Sequence, residues 1–198
     1  MTAASPVAGT RQAPQDGTSL ADALAPAEQT IVTVDLPRPR GQVSLPVFAR
    51  SESRWKGPLP TSFGSVPNKE ALDLDGAPLY PELLVVHLLE RAGWHAAWRK
   101  NWGGTAYWRA IRDPITPPPL PLAILEQVSR QAGHDTPWDI IAWRGRELRM
   151  LVCRTDEGQR VSAYLANWLD AALRMGIPLG CFAIVELRLE RLPRRRRF

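Results

Sequence analysis

The chain has 198 residues, 44% of them hydrophobic, and a formal net charge of +5. That length suffices for one domain with extensions, and the sequence contains neither an apolar run long enough to span a membrane nor a charged-then-apolar secretory signal. Its two cysteines, Cys153 and Cys181, stand apart from each other and from any histidine cluster, which argues against a disulfide scaffold or a zinc site. We therefore expect a cytoplasmic protein with no membrane partner.

The first 78 residues predict little regular structure. Residues 1–29 are rich in Ala, Pro, Gly, Ser and Thr, a composition that buries too little apolar surface to fold alone. We expect a disordered arm there, which can also dock a protein partner. Ten of the 19 prolines precede residue 80, so residues 30–78 predict a Pro-rich irregular extension or linker. Gln29 to Asp35 alternates enough for an edge strand.

Residues 79–190 carry the pattern of a folded α/β domain, which begins with a helix. Pro81 to Ala92 has a broad apolar face, Pro81 suits the first helical position, and Gly93 closes the helix. Glu82 lies in the first turn, where a carboxylate complements the helix dipole.

The next segment, Trp94 to Arg112, predicts two strands that turn at Asn101 to Gly104, because Gly103-Gly104 is a turn signal. Cations and aromatic rings alternate here, as they do in grooves that bind single-stranded nucleic acid. The cations that we consider as nucleic-acid contacts are Arg99, Lys100 and Arg109. The alternative is that most of the tryptophan rings belong to the core.

A Pro-rich connector then leads to a helix at Leu122 to Ala132, which Gly133 ends. Glu126 lies on this helix, either as a solvated surface group or as a metal ligand. Both interpretations remain open at this point.

The last part of the domain predicts strand, strand, helix and strand. Pro137 to Trp143 and Glu147 to Arg154 form a hairpin around Arg144-Gly145. Gln159 to Met175 has helical spacing, with Gly176 beyond it, and Cys181 to Leu187 adds a final strand. The order of elements predicts a mixed sheet with helices on both faces.

One acid stands out in this hairpin. Asp139 opens the first strand, and positions 152 and 154 of the second strand share one face, from which they can meet Asp139 across the hairpin. Two acids and a cation in such an arrangement would converge on a metal ion. Here those two positions hold Val152 and Arg154.

At these residues the sequence resembles the PD-(D/E)XK nuclease superfamily, and within it the VRR-NUC-like domains, over about the last three fifths of the chain. Trp138-Asp139 matches the family's strand acid, Trp168 to Leu173 with Gly176 matches its helix ending, and Glu82 matches an acid on the preceding helix. The resemblance implies a restriction-endonuclease-like fold, in which a small mixed sheet is flanked by helices. It also implies a Mg²⁺ site at Asp139 that activates water for phosphodiester hydrolysis.

The centre of the motif departs from the family. Val152 stands at the metal-binding Glu, Arg154 at the Lys and Leu165 at the helix Gln. Arg154 can pair with phosphate but cannot act as a base, since its pKa lies above about 12. The acids that can replace the missing ligand are Asp156, Glu157, Glu126 and Glu82.

Three functions follow from this pattern. The first is a nuclease-like domain that binds DNA, RNA or a partner, with an impaired metal site and no cofactor. The second is an active Mg²⁺-dependent phosphodiesterase whose acidic ligand has migrated. The third is a structural or interaction module of a larger assembly.

Residues 191–198 form a basic tail that contains Arg194, Arg195, Arg196 and Arg197. Such a run is either a solvated tail or a salt-sensitive contact to nucleic-acid phosphates.

Overall fold

The computed structural model describes residues 18–63, 69–100, 105–155 and 160–189. The helices in these ranges are α1 Leu20–Ala23, α2 Pro81–Arg91, α3 Pro119–Ala132 and α4 Ala163–Arg174, and none of them is long and apolar enough to cross a membrane. The strands are β1 Glu28–Asp35, β2 Gln42–Glu52, β3 Leu72–Leu74, β4 Ala77–Leu79, β5 His95–Lys100, β6 Ala106–Ala110, β7 Asp113–Ile115, β8 Ile140–Arg144, β9 Glu147–Arg154 and β10 Phe182–Leu189. The predicted α/β class is confirmed.

Eight of these strands form one sheet in the order β1-β2-β10-β9-β8-β5-β6-β7, and β3 pairs with β4 separately. In the large sheet β10 runs parallel to β2 and β9, whereas the other neighbours are antiparallel. The sheet is therefore mixed, but it is larger and more antiparallel than the small mixed sheet that the sequence predicted.

Helices cover both faces of the sheet, and each face has its own hydrophobic core. The helix α2 packs on one face in a first core cluster that includes Leu84, Leu89, Trp98, Ile140 and Leu151. The helices α3 and α4 pack on the other face in a second core cluster that includes Val128, Trp138, Ile141, Met150 and Trp168. Neighbouring residues of β8 and β9 alternate between the two clusters, as side chains of a strand must.

The N-terminal region contributes more to the sheet than predicted. The edge strand expected near Gln29 to Asp35 is confirmed as β1, but the predicted linker at residues 30–78 also contains the long strand β2. The sequence pattern did not predict this strand because it contains Pro46, and proline is uncommon inside a sheet. Pro46 precedes Val47, the first residue of β2 that pairs with β10, so its missing N–H does not interrupt that ladder. Of the predicted arm, residues 18–29 form α1 and the start of β1, and the rest lies outside the described residues.

The helices and hairpins predicted from local patterns are confirmed, with shifted ends. The helix α3 begins at Pro119 rather than at Leu122, since proline is tolerated in a first helical turn. The helix α4 begins after Ser162, whose side chain accepts a hydrogen bond from the Leu165 N–H and so caps the helix. Gly145 turns the β8–β9 hairpin with a φ of 57°, a conformation that favours glycine.

Candidate functional site at the polar edge of the sheet

Polar groups collect where three strands of the sheet end or begin. The strands β5 and β9 both run antiparallel to β8, so their C-terminal ends lie next to the start of β8, where Ile140 pairs with Trp98 and Leu151. Asp139 immediately precedes β8, and the first turn of α2 reaches the same place with Glu82. We use the name polar edge for Lys69, Glu82, Arg99, Asp139 and Cys153.

Asp139 is bound into the sheet on both sides. Its backbone N–H donates to the Leu151 carbonyl at 3.0 Å, and its carbonyl accepts from the Arg99 N–H at 2.7 Å. Its carboxylate Oδ2 accepts from the Cys153 N–H at 2.9 Å. The side chain therefore takes the place of a main-chain acceptor at the end of the β8–β9 ladder.

The same position perturbs the acidity of this carboxyl group. Burial raises the pKa of Asp139 from its ordinary 3.8 to about 7, against the lowering effect of the Cys153 N–H. The nearby Glu82 carboxylate also raises this pKa, whereas Lys69 and Arg99 lower it. An acid with a pKa near 7 can accept or release a proton at neutral pH.

Glu82 lies in the first turn of α2, as predicted, but its main partner is a lysine. Only 7% of Glu82 is exposed, and its Oε1 forms an ion pair with the ammonium of Lys69. The other oxygen, Oε2, is buried and has no hydrogen-bond partner among the residues that the structure describes. The Lys69 ammonium also lies 4.7 Å from the centroid of the Trp98 ring, within cation–π range.

Cys153 lies between the two acids. Burial, then Glu82 and then Asp139 raise its thiol pKa well above the ordinary value, and Lys69 lowers it. A thiol with a raised pKa stays protonated at neutral pH and is a poor nucleophile. Cys153 is thus a partly buried neutral group rather than a reactive one.

A cavity of about 310 Å³ opens beside these groups. Its lining mixes cations, acids and small side chains, namely Arg54, Lys69, Glu70, Pro81, Glu82, Cys153, Thr155 and Leu189. The cavity gives solvent-sized molecules access to the Glu82 side of the polar edge.

Val152 and Arg154 share a face, as predicted, but it is the face opposite Glu82. Val152 packs against the second core cluster, and Arg154 lines a groove beside Glu186 and the start of α4. Burial lowers the pKa of Arg154, while Glu186 and then Asp139 raise it. The charges of Arg154 and Asp139 thus interact, whereas Cys153, on the other face of β9, lies near both Asp139 and Glu82.

Leu165, which stands where the resemblance expects a glutamine, is a core residue. It is 3% exposed and belongs to the second core cluster. Its position in the first turn of α4 therefore supplies packing and no polar group.

The predicted nucleic-acid contacts near the β5–β6 hairpin are only partly at the surface. Arg99 is 8% exposed and forms an ion pair with Asp135, so its assignment as a surface contact is wrong. Lys100 lies 5.5 Å from the Trp108 ring centroid, and Arg109 is half-exposed and paired with Asp113 at 2.8 Å. Lys100 and Arg109 remain accessible to a ligand.

Among the remaining candidate acids, Glu126 belongs to the described part of the chain, and it does not join the polar edge. Glu126 lies exposed on α3, 3.9 Å from Arg130, and lines a different cavity. Asp156, Glu157 and the arginines Arg194 to Arg197 lie outside the described residues.

These residues do not fit a Mg²⁺ site as the resemblance implies it. In the described part of the chain no group of three or more His, Cys, Asp or Glu side chains is arranged to hold a metal ion. Two carboxylates are present, but the ammonium of Lys69 already neutralises one of them. Where the resemblance expects a third oxygen ligand the chain has Val152, which has no ligand atom and lies on the other face of β9.

Sequence reasoning missed Lys69 and Cys153. Lys69 lies in the Pro-rich region, thirteen residues before Glu82, and no periodic pattern links the two. Cys153 stands alone in the sequence, without a second cysteine or a histidine at a spacing typical of a metal or catalytic site. The only sequence signal was its position between Val152 and Arg154, which puts it on the opposite face of the strand.

Comparisons with known proteins found no match. No protein-family model, no curated protein and no solved structure is similar to this chain at a significant level. The geometry of the polar edge, together with the resemblance in sequence pattern, therefore carries the functional argument.

Proposed function

We propose that this chain is a nuclease-like domain that binds nucleic acid and cleaves it little or not at all, because its metal site is impaired. The observation that carries this proposal is the ion pair between Lys69 and Glu82 beside Asp139. A fixed positive charge at an acid pair opposes the binding of a divalent cation there.

The rest of the polar edge supports the impairment. Mg²⁺ needs hard oxygen ligands in near-octahedral geometry. The Asp139 carboxylate already accepts a hydrogen bond from the Cys153 N–H, and the Cys153 thiol is a soft donor. Neither the valine nor the arginine at positions 152 and 154 supplies an oxygen.

Binding to nucleic acid rests on cations at this edge and away from it. Lys100 is the last residue of β5, Arg109 lies on β6 on the side away from the β5–β6 turn, and the basic tail continues the chain beyond β10. Arginine forms paired hydrogen bonds with phosphate, and such contacts release counterions and depend on salt. DNA and RNA present the same phosphate chemistry to these groups.

The experiment compares binding with cleavage. Labelled single- and double-stranded DNA and RNA are incubated with the protein in Mg²⁺, in Mn²⁺ and in EDTA, and Asp139→Asn is run in parallel. This variant keeps an oxygen that can accept from the Cys153 N–H but cannot carry a negative charge. We expect binding that is indifferent to metal and no cleavage that the variant abolishes.

Metal-dependent cleavage lost in Asp139→Asn would contradict the proposal. It would favour the second candidate function, an active phosphodiesterase that uses Glu82 as its migrated acid. The observation behind that candidate is that Glu82 lies close enough to Asp139 to raise its pKa. Glu82→Gln should then abolish cleavage, whereas Glu126→Gln, on the exposed side of α3, should not. If the protein neither binds nor cleaves, an interaction module is the better account.

A further inference from the structure

Two acids at the polar edge need a compensating positive charge. Glu82 is almost fully buried, and its charge lies close enough to Asp139 to raise the pKa of the Asp139 carboxyl group. Carboxylates in such proximity stay ionised together only if a cation or hydrogen-bond donors offset their repulsion. The cations of Lys69 and Arg99 both lower the pKa of Asp139.

Lys69 is the cation that contacts Glu82. Its side chain is 28% exposed, and its ammonium is placed both against Glu82 Oε1 and over the Trp98 ring. Arg99, the other nearby cation, is already paired with Asp135. Lys69 therefore supplies the positive charge closest to the acid pair.

Lys69 contacts one of the two carboxylate oxygens of Glu82, Oε1. Within the described part of the chain Glu82 Oε2 is buried and has no hydrogen-bond partner, although a buried carboxylate oxygen normally has one. A monovalent ammonium on one oxygen thus leaves the pair incompletely satisfied. A divalent cation can contact two carboxylates and complete its shell with water.

We propose that Lys69 occupies the place of a hard divalent cation between Glu82 and Asp139, and that removing its ammonium opens this place to Mg²⁺ or Mn²⁺. The neighbouring cavity of about 310 Å³ provides room for the water molecules that such an ion keeps. Lys69 then explains why Glu82 and Asp139 do not form the metal site that the resemblance implies.

This inference deepens the proposed function, because it names what fills the impaired site. Its test measures Mn²⁺ binding in the absence of nucleic acid. A protein that fails to bind nucleic acid can still pass this test, and a protein that binds nucleic acid can fail it, so the two failures are distinguishable.

The test variant is Lys69→Met, which removes the ammonium and keeps an unbranched side chain of similar size. The matched control is Lys100→Met, which removes an equal charge from a lysine that also lies over a tryptophan, at 5.5 Å from Trp108. Mn²⁺ binding is measured by electron paramagnetic resonance of free Mn²⁺ and by the Mn²⁺-dependent rise in melting temperature.

We expect Lys69→Met to bind Mn²⁺ at least about tenfold more tightly than the unaltered protein, a difference of about 1.4 kcal/mol. Lys100→Met should bind as the unaltered protein does. Adding Glu82→Gln to Lys69→Met should remove the gain, because it removes one of the two carboxylates.

Equal Mn²⁺ binding by Lys69→Met and the unaltered protein would overturn the proposal, as would a gain that survives Glu82→Gln. The near-ultraviolet circular dichroism of the tryptophans reports whether each variant is folded. If Lys69→Met does not fold, Lys69→Gln provides the same loss of charge with a polar side chain, and the same outcomes apply to it.

Discussion

Asp139 has a hydrogen-bonding role and an electrostatic role at the residue scale. Its carboxylate completes the β8–β9 ladder through the Cys153 N–H, so the side chain contributes to the hairpin even if no reaction takes place there. Burial is the main cause of its raised pKa and the Glu82 charge adds to it, whereas the Cys153 N–H, Lys69 and Arg99 lower this pKa. Both roles depend on the same carboxylate group. A substitution that tests the charge must therefore keep the hydrogen bond from the Cys153 N–H.

We predict that Asp139 makes the protein less stable as the pH rises from about 4 to about 7. A group whose pKa is raised in the folded state stabilises it fully below the unfolded pKa of 3.8, and this contribution is lost as the pH passes the folded value of about 7. The loss is on the order of 4 kcal/mol at most. Urea unfolding at several pH values should show this slope in the unaltered protein and not in Asp139→Asn.

Glu126→Gln serves as the control for this comparison, because Glu126 is an exposed acid of α3. Its stability should follow the unaltered protein across the whole range. If Asp139→Asn does so as well, the burial of the Asp139 carboxyl group has no thermodynamic effect and the prediction is wrong.

At the scale of the secondary-structure elements, the alternation of side chains along β9 determines which of its residues face the polar edge. Its residues alternate between the two faces of the sheet, so Leu151 and Cys153 belong with α2, whereas Met150 and Val152 belong with α3 and α4. A shift of one residue would exchange these two sets. The position that can add a ligand beside Glu82 is therefore 153.

The face of β9 is tested by adding an acid at each position. In the Lys69→Met background, Cys153→Asp should tighten Mn²⁺ binding by about another tenfold, because it places a third carboxylate between Glu82 and Asp139. Val152→Asp is the matched variant and should not. Both bury a charge and lose stability, so the comparison uses Mn²⁺ binding by protein shown to be folded. Tightening by Val152→Asp alone would show that the site lies on the other face.

A second element-scale feature joins α4 to the turn between β1 and β2. Asp170 on α4 is 4% exposed, and its carboxylate lies 3.4 Å from Arg40 Nε and 2.6 Å from a terminal nitrogen of Arg174. The two arginines are half-exposed and can be hydrated when the acid is removed. The pair thus anchors the N-terminal strands to a helix distant in the chain.

We predict that Asp170→Asn lowers the free energy of unfolding by about 1–2 kcal/mol, since it removes a charge-assisted hydrogen bond and leaves no buried unpaired charge. Urea unfolding at neutral pH measures this. Glu126→Gln, which breaks an exposed pair 3.9 Å apart, should leave stability nearly unchanged. Equal losses in the two variants would show that burial adds nothing to the Asp170 contacts.

At the scale of the whole molecule, the topology places the polar groups at one edge and the basic tail after the last strand. The strands β5, β9 and β10 are connected so that their C-terminal ends point to the same edge of the sheet. The chain then continues from β10 into the four arginines of the tail. The proposed binding of nucleic acid therefore draws on cations that lie far apart in the sequence.

We predict that the tail contributes most of the salt dependence of nucleic-acid binding. Replacing Arg194 to Arg197 together with glutamine should reduce the slope of log affinity against log salt concentration by up to about three, at about 0.7–0.9 for each phosphate contact. Fluorescence anisotropy between low and moderate salt measures this slope. Arg130→Gln, which removes one exposed charge from α3, should change it little. An unchanged slope in the tail variant would mean that the tail is solvated.

Sequence patterns predicted the parts of this fold that depend on neighbouring residues. The apolar periodicity of α2 and α4 and the turn at Gly145 are local, and they were identified with only their ends in error. The strand β2 was missed because Pro46 interrupts its pattern and because it is stabilised by β10, which lies far along the chain.

The candidate site also has features that the local sequence determined and features that depend on tertiary structure. The sequence by itself determined that Asp139 opens a strand of a hairpin, that Glu82 begins a helix, and that positions 152 and 154 share a face. Tertiary structure alone decided which face that is, that Arg99 is buried against Asp135, and that Lys69 meets Glu82. Local periodicity fixes side chains relative to their own element, whereas burial and ion pairing depend on which distant segments pack together.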